Sequence, residues 1–251
     1  MAWSITGIST VIETAVGGGN LTLNTPSGTP TTGDLLVACI GMRSNAGFTP
    51  NSGVWNLVAT QQLSGDVDAT SGIASGGMWY TVLGTGTDPD FLFNRTGGNV
   101  AQGICLRYRG VDTGSPYNTG SAGTLGVIGE PSLAQLTSIP ANNLLVAMVS
   151  SGDNTLCTAF DAVTDPSVAS GTIDTTTAPV VGTWTHRADA ATGTGADHGL
   201  SIADGVKTSL GNTGTFSANA VTTTRSVFIV AAFTMGAVVI NNRLRMFITN
   251  A

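Results

Sequence analysis

Short apolar runs recur along the chain, separated by clusters of Gly, Thr, Asn, Ser and Pro, and none follows the 3.6-residue period of an amphipathic helix. Gly33-Asp34-Leu35-Leu36-Val37-Ala38-Cys39-Ile40-Gly41-Met42 and Gly103-Ile104-Cys105-Leu106-Arg107-Tyr108-Arg109-Gly110-Val111-Asp112 are almost continuously apolar over a strand's length. So short a continuous run suits a strand covered on both faces, and the second run enters a turn at Gly110. Trp3, Ile5, Ile8, Val11 and Ile12 precede a turn at Gly17–Asn20 and then Leu21 and Leu23, which predicts an opening hairpin. Val54–Val58, with Trp55 capping the core, Met78–Leu83 and Phe91–Asn94 are further strands; 25–32 and 64–77 are loops.

The second half repeats this order. Leu144-Leu145-Val146-Ala147 echoes Leu35-Leu36-Val37-Ala38, Trp184 stands where Trp55 stood, and Gly199–Ala203 where Gly77–Tyr80 stood. Gly214–Phe216 lies near the place of Phe91, and Val227–Phe233 near that of 103–109. The expectation is an all-β fold, a jelly-roll-like antiparallel β-sandwich of two similar halves with about five strands each. The sandwich domain covers 1–236, and 237–251 is a C-terminal strand, hairpin or arm that turns at Asn241-Asn242. The longest apolar run, Val227–Ile240, lies between Arg225 and Arg243 and falls short of the ~20 residues of a membrane helix, so no membrane insertion is expected.

Composition sharpens this. Charged residues make up 10% of the chain, with a single lysine, Lys207, and only Glu13 and Glu130 as glutamates, whereas long helices carry such residues on their wet face. A net charge of -6 opposes nonspecific attraction to nucleic acid or an anionic membrane. With so few charges, solubility rests on hydroxyls and amides or on burial of surface in a symmetric homo-oligomer. Cys39, Cys105 and Cys157 are an odd number in apolar or small-residue stretches, which predicts buried free thiols made in a reducing compartment. Met1–Thr6 lacks a basic segment followed by an apolar one, so no secretory signal is expected.

The order Gly33–Ala38, then Trp55 after a Gly/Pro loop, then Tyr108-Arg109-Gly110-Val111-Asp112 resembles β-sandwich modules of tailed-phage structural proteins and prophage-encoded tail or fibre proteins. The weaker second Leu-Leu-Val-Ala at 144–147 belongs to the same resemblance, which spans about residues 30–235. The chain departs in Gly53-Val54-Trp55, where such modules have Pro-x-Gly-Trp, and in its C-terminal hairpin. The resemblance implies a non-enzymatic virion protein, a capsid decoration or a minor tail or fibre protein, assembled in the bacterial cytoplasm and bound to other virion proteins. A carbohydrate-binding module reading host surface glycans is the alternative.

No catalytic or cofactor motif stands out, so neither enzyme activity nor a cofactor is expected. Asp66 and Asp68, and Asp88 and Asp90, offer oxygen ligands for Ca²⁺, against their commoner role in turns. His186 and His198, near Asp189, Asp197 and Ser201, suggest a Ser/His/Asp hydrolase or a metal site but lack a Gly-x-Ser-x-Gly elbow or a His-Glu-x-x-His helix, and a solvated loop is the better account. Two glutamates give a poor basis for glycoside hydrolysis. Trp55, Trp79, Tyr80 and Tyr117 could stack on sugar rings if they line one exposed face; Trp55 and Trp79 are expected in the core instead, and Tyr117, in the loop after Asp112, is the first candidate. Arg107 and Arg109 share one face of a strand, with Tyr108 on the other, and serve either a neighbouring subunit's carboxylates or an internal salt bridge to Asp112 or another loop Asp. Arg243 and Arg245 make the C-terminal segment a further contact candidate, as do loops 43–53, 64–77 and 112–124.

Overall fold

A computed structural model describes residues 3–14, 19–44, 47–62, 74–95, 100–125, 132–133, 136–152, 157–162, 184–191, 198–207, 210, 216–220 and 226–236. No helix occurs among them. The first half holds β1 (Ser4–Ile8), β2 (Ile12–Thr14), β3 (Leu21–Thr22), β4 (Leu35–Met42), β5 (Phe48–Pro50), β6 (Asn56–Gln62), β7 (Ser75–Val82), β8 (Leu92–Arg95) and β9 (Ala101–Arg109). The second holds β10 (Tyr117–Leu125), β11 (Ser132–Leu133), β12 (Asn143–Ser151), β13 (Cys157–Ala162), β14 (Trp184–Ala191), β15 (Gly199–Lys207), β16 (Phe216–Ala220) and β17 (Ser226–Phe233).

The topology is duplicated. A main sheet in the order β1-β9-β4-β7-β6 with a small sheet β3-β8-β5 is matched by β10-β17-β12-β15-β14 with β11-β16-β13. All pairs are antiparallel, and β2 adds to β9. Leu35 pairs with Val82 and Tyr108, and Leu144 pairs with Val206 and Phe233, so the two Leu-Leu-Val-Ala runs occupy one structural position. Gly33 (φ 87°) and Asn142 (φ 64°) both turn the chain into these strands through the left-handed region, which Gly and Asn tolerate best.

Each half is therefore a sandwich in its own right, with more strands than the sequence suggested, and the two main sheets then pack face to face. Leu36, Ala38, Ile40, Trp55, Trp79 and Phe93 fill the first sandwich, and Leu145, Ala147, Trp184, Phe228 and Val230 the second. Between the main sheets lie Leu35, Val37, Ile104, Tyr108, Leu144, Val146, Ile229 and Phe233. A main-sheet strand thus has core on both sides, and β4, β12 and β17 are buried along their whole length. At about 25 cal/mol per Å² of apolar surface, this double coverage makes these strands a main source of stability.

The expected opening hairpin does not form. β1 and β2 both pair with β9, and β3 pairs with β8. Tyr117 is likewise not in a loop: it opens β10, a nine-residue strand that the small, hydroxyl-rich run Tyr117–Leu125 did not announce.

Both halves point the same way. At one end, here the loop end, lie the strand ends Met42, Ser75, Ala101, Ser151, Gly199 and Ser226. The opposite, linker end carries Trp3, the interdomain connection 110–116 and Gly236. Loop 112–116 therefore lies at the opposite end from Met42 and Ser75. The C-terminal segment 237–251, with its expected hairpin and Arg243 and Arg245, lies outside the described residues.

The sheets come closest near the loop end. A Cβ built on Gly41 would stand 2.6 Å from Ser150 Oγ and 2.9 Å from the His198 ring. Gly41→Ala is accordingly expected to destabilise the chain by about 1–3 kcal/mol, as overpacking does. A lower midpoint in urea unfolding would register it.

Candidate functional site

Polar chemistry gathers where the two main sheets meet. At the loop end, His198 precedes β15 and reaches across to the first half: its Nδ1 lies 2.8 Å from Gln102 Oε1 and its Nε2 2.9 Å from Ser150 Oγ. The neutral imidazole has one donor. Given to Gln102 from Nδ1, it leaves Nε2 an acceptor, and the single Ser150 hydroxyl proton is shared between Nε2 and the Ser75 carbonyl 2.8 Å away. Burial, reinforced by the charge of Arg43, lowers the His198 pKa to about 3.

Nucleophile, base and orienting group are thus in line, as in covalent catalysis. However, Ser150 and His198 are 0% exposed and Gln102 1% exposed, so no reactant reaches the hydroxyl in this arrangement. The partners the sequence suggested for His198, Asp189 and Asp197, are not those it uses. Gln102 and Ser150 come from strands 96 and 48 residues away, a separation that no local motif reveals.

Towards the linker end, Asp204 on β15 accepts from Tyr108 Oη at 2.9 Å and from Arg187 Nε at 2.7 Å. Asp204 is fully buried, and desolvation raises its pKa against the opposing pull of Arg187 and Tyr108. Burial, followed by the Asp204 charge, raises the Tyr108 phenol. By register the first-half counterpart of Asp204 is Tyr80, which packs edge-on against Phe233, the counterpart of Tyr108. One side of the interface is ionic and the other aromatic. That asymmetry fixes which half faces which.

Arg107 and Arg109 do share a face, with Tyr108 turned into the interface between sheets. Arg107 is completely buried: its guanidinium binds both oxygens of Asp88 at 2.7 Å and donates to the carbonyls of Ser27 and Gly28. Those donors are consumed within the chain, so in this structure Arg107 cannot meet a neighbouring subunit. Arg109, 45% exposed, pairs with the buried Asp34 rather than Asp112. Asp112 instead accepts from the backbone of Gly114 and Ser115 and closes the turn.

Of the calcium candidates, Asp88 is taken by Arg107. Asp90 accepts from Asn51 Nδ2 and the Leu92 backbone, and these bonds hold its carboxyl below the usual range. Asp66 and Asp68 lie outside the described residues, among which no group of three or more His, Cys, Asp or Glu side chains could hold a metal.

His186 Nε2 and Asp189 Oδ1 lie 3.0 Å apart on the edge strand β14 without the alignment of a hydrogen bond. Trp55 and Trp79 are core residues, and Trp55 donates to the Asp90 carbonyl at 2.9 Å. Tyr117 stacks on Tyr80 with ring centres 5.4 Å apart, both half-buried at the margin of the sheet interface. Cys39 and Cys105 are buried free thiols whose pKa values desolvation raises, which leaves them unreactive. An open groove of about 360 Å³ at the linker end is lined by Val54, Thr81–Leu83, Asp88 and Pro89.

Together these features define an all-β protein built as a sandwich of two sandwiches, with the Gln102–His198–Ser150 and Tyr108–Asp204–Arg187 clusters set along the joint. No protein-family model, curated protein or solved structure matches the chain.

Proposed function

We propose that the chain is a non-enzymatic structural protein of a tailed-phage virion, displayed on the capsid or tail and working through multivalent contacts with other virion proteins and with copies of itself. The observation that carries this reading is the common direction of the two halves. Trp3, the linker 110–116 and Gly236 share one end, and the strand ends Met42, Ser75, Ala101, Ser151, Gly199 and Ser226 share the other. Such a body suits attachment at the linker end and presentation of the loop end. Many copies on one particle make weak single contacts sufficient. The Tyr108–Asp112 string that carries the phage resemblance leads from β9 into the linker itself.

The alternative is a carbohydrate-binding module on a fibre or bacterial surface protein. It rests on the half-buried Tyr80–Tyr117 pair, whose outer ring face has the apolar body and polar rim that sugar stacking uses.

Immunogold electron microscopy of particles from the source lysate, with antibody against this chain, separates the two. Regular label on heads is expected for a capsid decoration protein, and label along or at the tip of the tail for a tail or fibre protein. Bare particles alongside free protein in the same lysate would overturn the virion reading. A glycan array probed with oligomeric protein then tests the alternative.

A further inference from the structure

The groove at the linker end is an apolar surface that the described residues leave open. Val54, 50% exposed, shares it with Val82, Leu83 and Pro89, so its exposure belongs to a contiguous apolar surface and not to a lone side chain. At about 360 Å³ the groove has room for the side chains of a short peptide segment.

The path of the chain brings such a segment to this place. β17 lies across from β7, with the Phe233 and Tyr80 rings edge to face and their centres 5.7 Å apart. Tyr80 comes just before Val82, and Phe233 just before Gly236, so the chain leaves the described fold beside the end of β7 that lines the groove. The Gly236 amide is held there, donating to the Gly110 carbonyl at 2.9 Å. Facing sheets lie about 10 Å apart and an extended chain covers about 3.3 Å per residue, which brings Val238-Val239-Ile240 within reach.

That run is as apolar as the groove. Arg243 and Arg245 follow it after Asn241-Asn242. Arg107 and Arg109, at the same end, are already paired with Asp88 and Asp34, whereas Asp90 and Asp112 have no ion-pair partner among the described residues. Asp90 directly follows the groove residue Pro89. Carboxylates without a cation thus stand at the end where a segment with two cations departs.

We propose that the segment 237–251 docks in this groove of its own chain. Val238-Val239-Ile240 cover Val54, Val82 and Pro89, and Arg243 and Arg245 turn to the carboxylates of Asp90 and Asp112. The same chain is favoured over a second copy as the donor, because a short tether gives the segment an effective concentration of about millimolar. A partner that uses the linker end then meets the docked segment, not the bare groove. The assignment rests on the groove and the chain path, and it stands independently of the virion reading.

Photo-crosslinking of the full chain tests it. Thr87, an exposed residue of the groove, is replaced (Thr87→Cys) and labelled with a benzophenone maleimide. Cys39 and Cys105 are buried, and the unsubstituted chain treated alike reveals any label elsewhere. After irradiation, peptide mapping is expected to join position 87 to residues within 237–243 at the mass of a single chain. Val239→Asp together with Ile240→Asp should lower that yield about tenfold, which corresponds to about 1.4 kcal/mol of lost contact. A yield unchanged in the double variant overturns the proposal, because tethering alone then accounts for the proximity. Cross-links that fall outside 237–251 also overturn it, as do cross-links found only in a covalent dimer, which assign the groove to a second copy.

Discussion

Asp88→Ala should cost the protein about 3–5 kcal/mol, because it strands the wholly buried Arg107 guanidinium without its counter-ion. The carbonyls of Ser27 and Gly28 would still accept from Arg107, but they carry no charge to offset it. Adding Arg107→Leu to Asp88→Ala is expected to recover part of the loss, since no isolated charge then remains in the core. Urea unfolding of the single and double variants measures both values. A double variant no more stable than Asp88→Ala would show that the Arg107 hydrogen bonds, rather than its charge, dominate.

A comparable effect is expected from acid. His198 is held neutral in the fold, with a pKa of about 3, against about 6.5 in an unfolded chain. Between these values the unfolded state binds a proton that the native state refuses, so stability is greatest above pH 6.5 and falls as pH drops towards 3. The slope is about 1.4 kcal/mol per pH unit, and the whole window is worth on the order of 5 kcal/mol. Asp204, whose pKa is raised, acts in the opposite sense at acid pH, as its folded form holds a proton more readily than the unfolded one. His198→Gln leaves Asp204 in place, so the difference between the two stability-against-pH curves isolates the histidine. That difference should flatten above pH 6.5 and grow below it. Parallel curves across the range would refute the assignment.

The central architecture was readable because burial on both faces leaves a direct trace. β4, β12, β9 and β17 are nearly unbroken apolar runs, and the repeated Leu-Leu-Val-Ala with its following tryptophan marked the duplication. The nesting of one sandwich in each half was not readable, because β3 and β11 have two residues each and β5 three, too short for any period to register. β10 escaped because it is an edge strand of Gly, Ser, Thr and Ala, held by backbone pairing to β17 rather than by an alternating apolar face.

The site was harder still. The arginines were singled out correctly as strand residues of one face, but their partners are set by folding. Asp88 and Asp34 lie 19 and 75 residues from them along the chain. The same holds for His198, whose hydrogen bonds cross from one half to the other.

The outer strands of the two main sheets share one irregularity. β1, β6, β10 and β14 each slip register once, between Ile5 and Gly7, Leu57 and Ala59, Tyr117 and Thr119, and His186 and Ala188. A kink of this kind turns the open backbone edge away from a flat partner. Copies of the chain can therefore stand side by side at high concentration without zipping into ribbons through these edges. Contact between copies is left to side-chain surfaces and loops, which can be closed and counted, whereas a continuous sheet grows without limit.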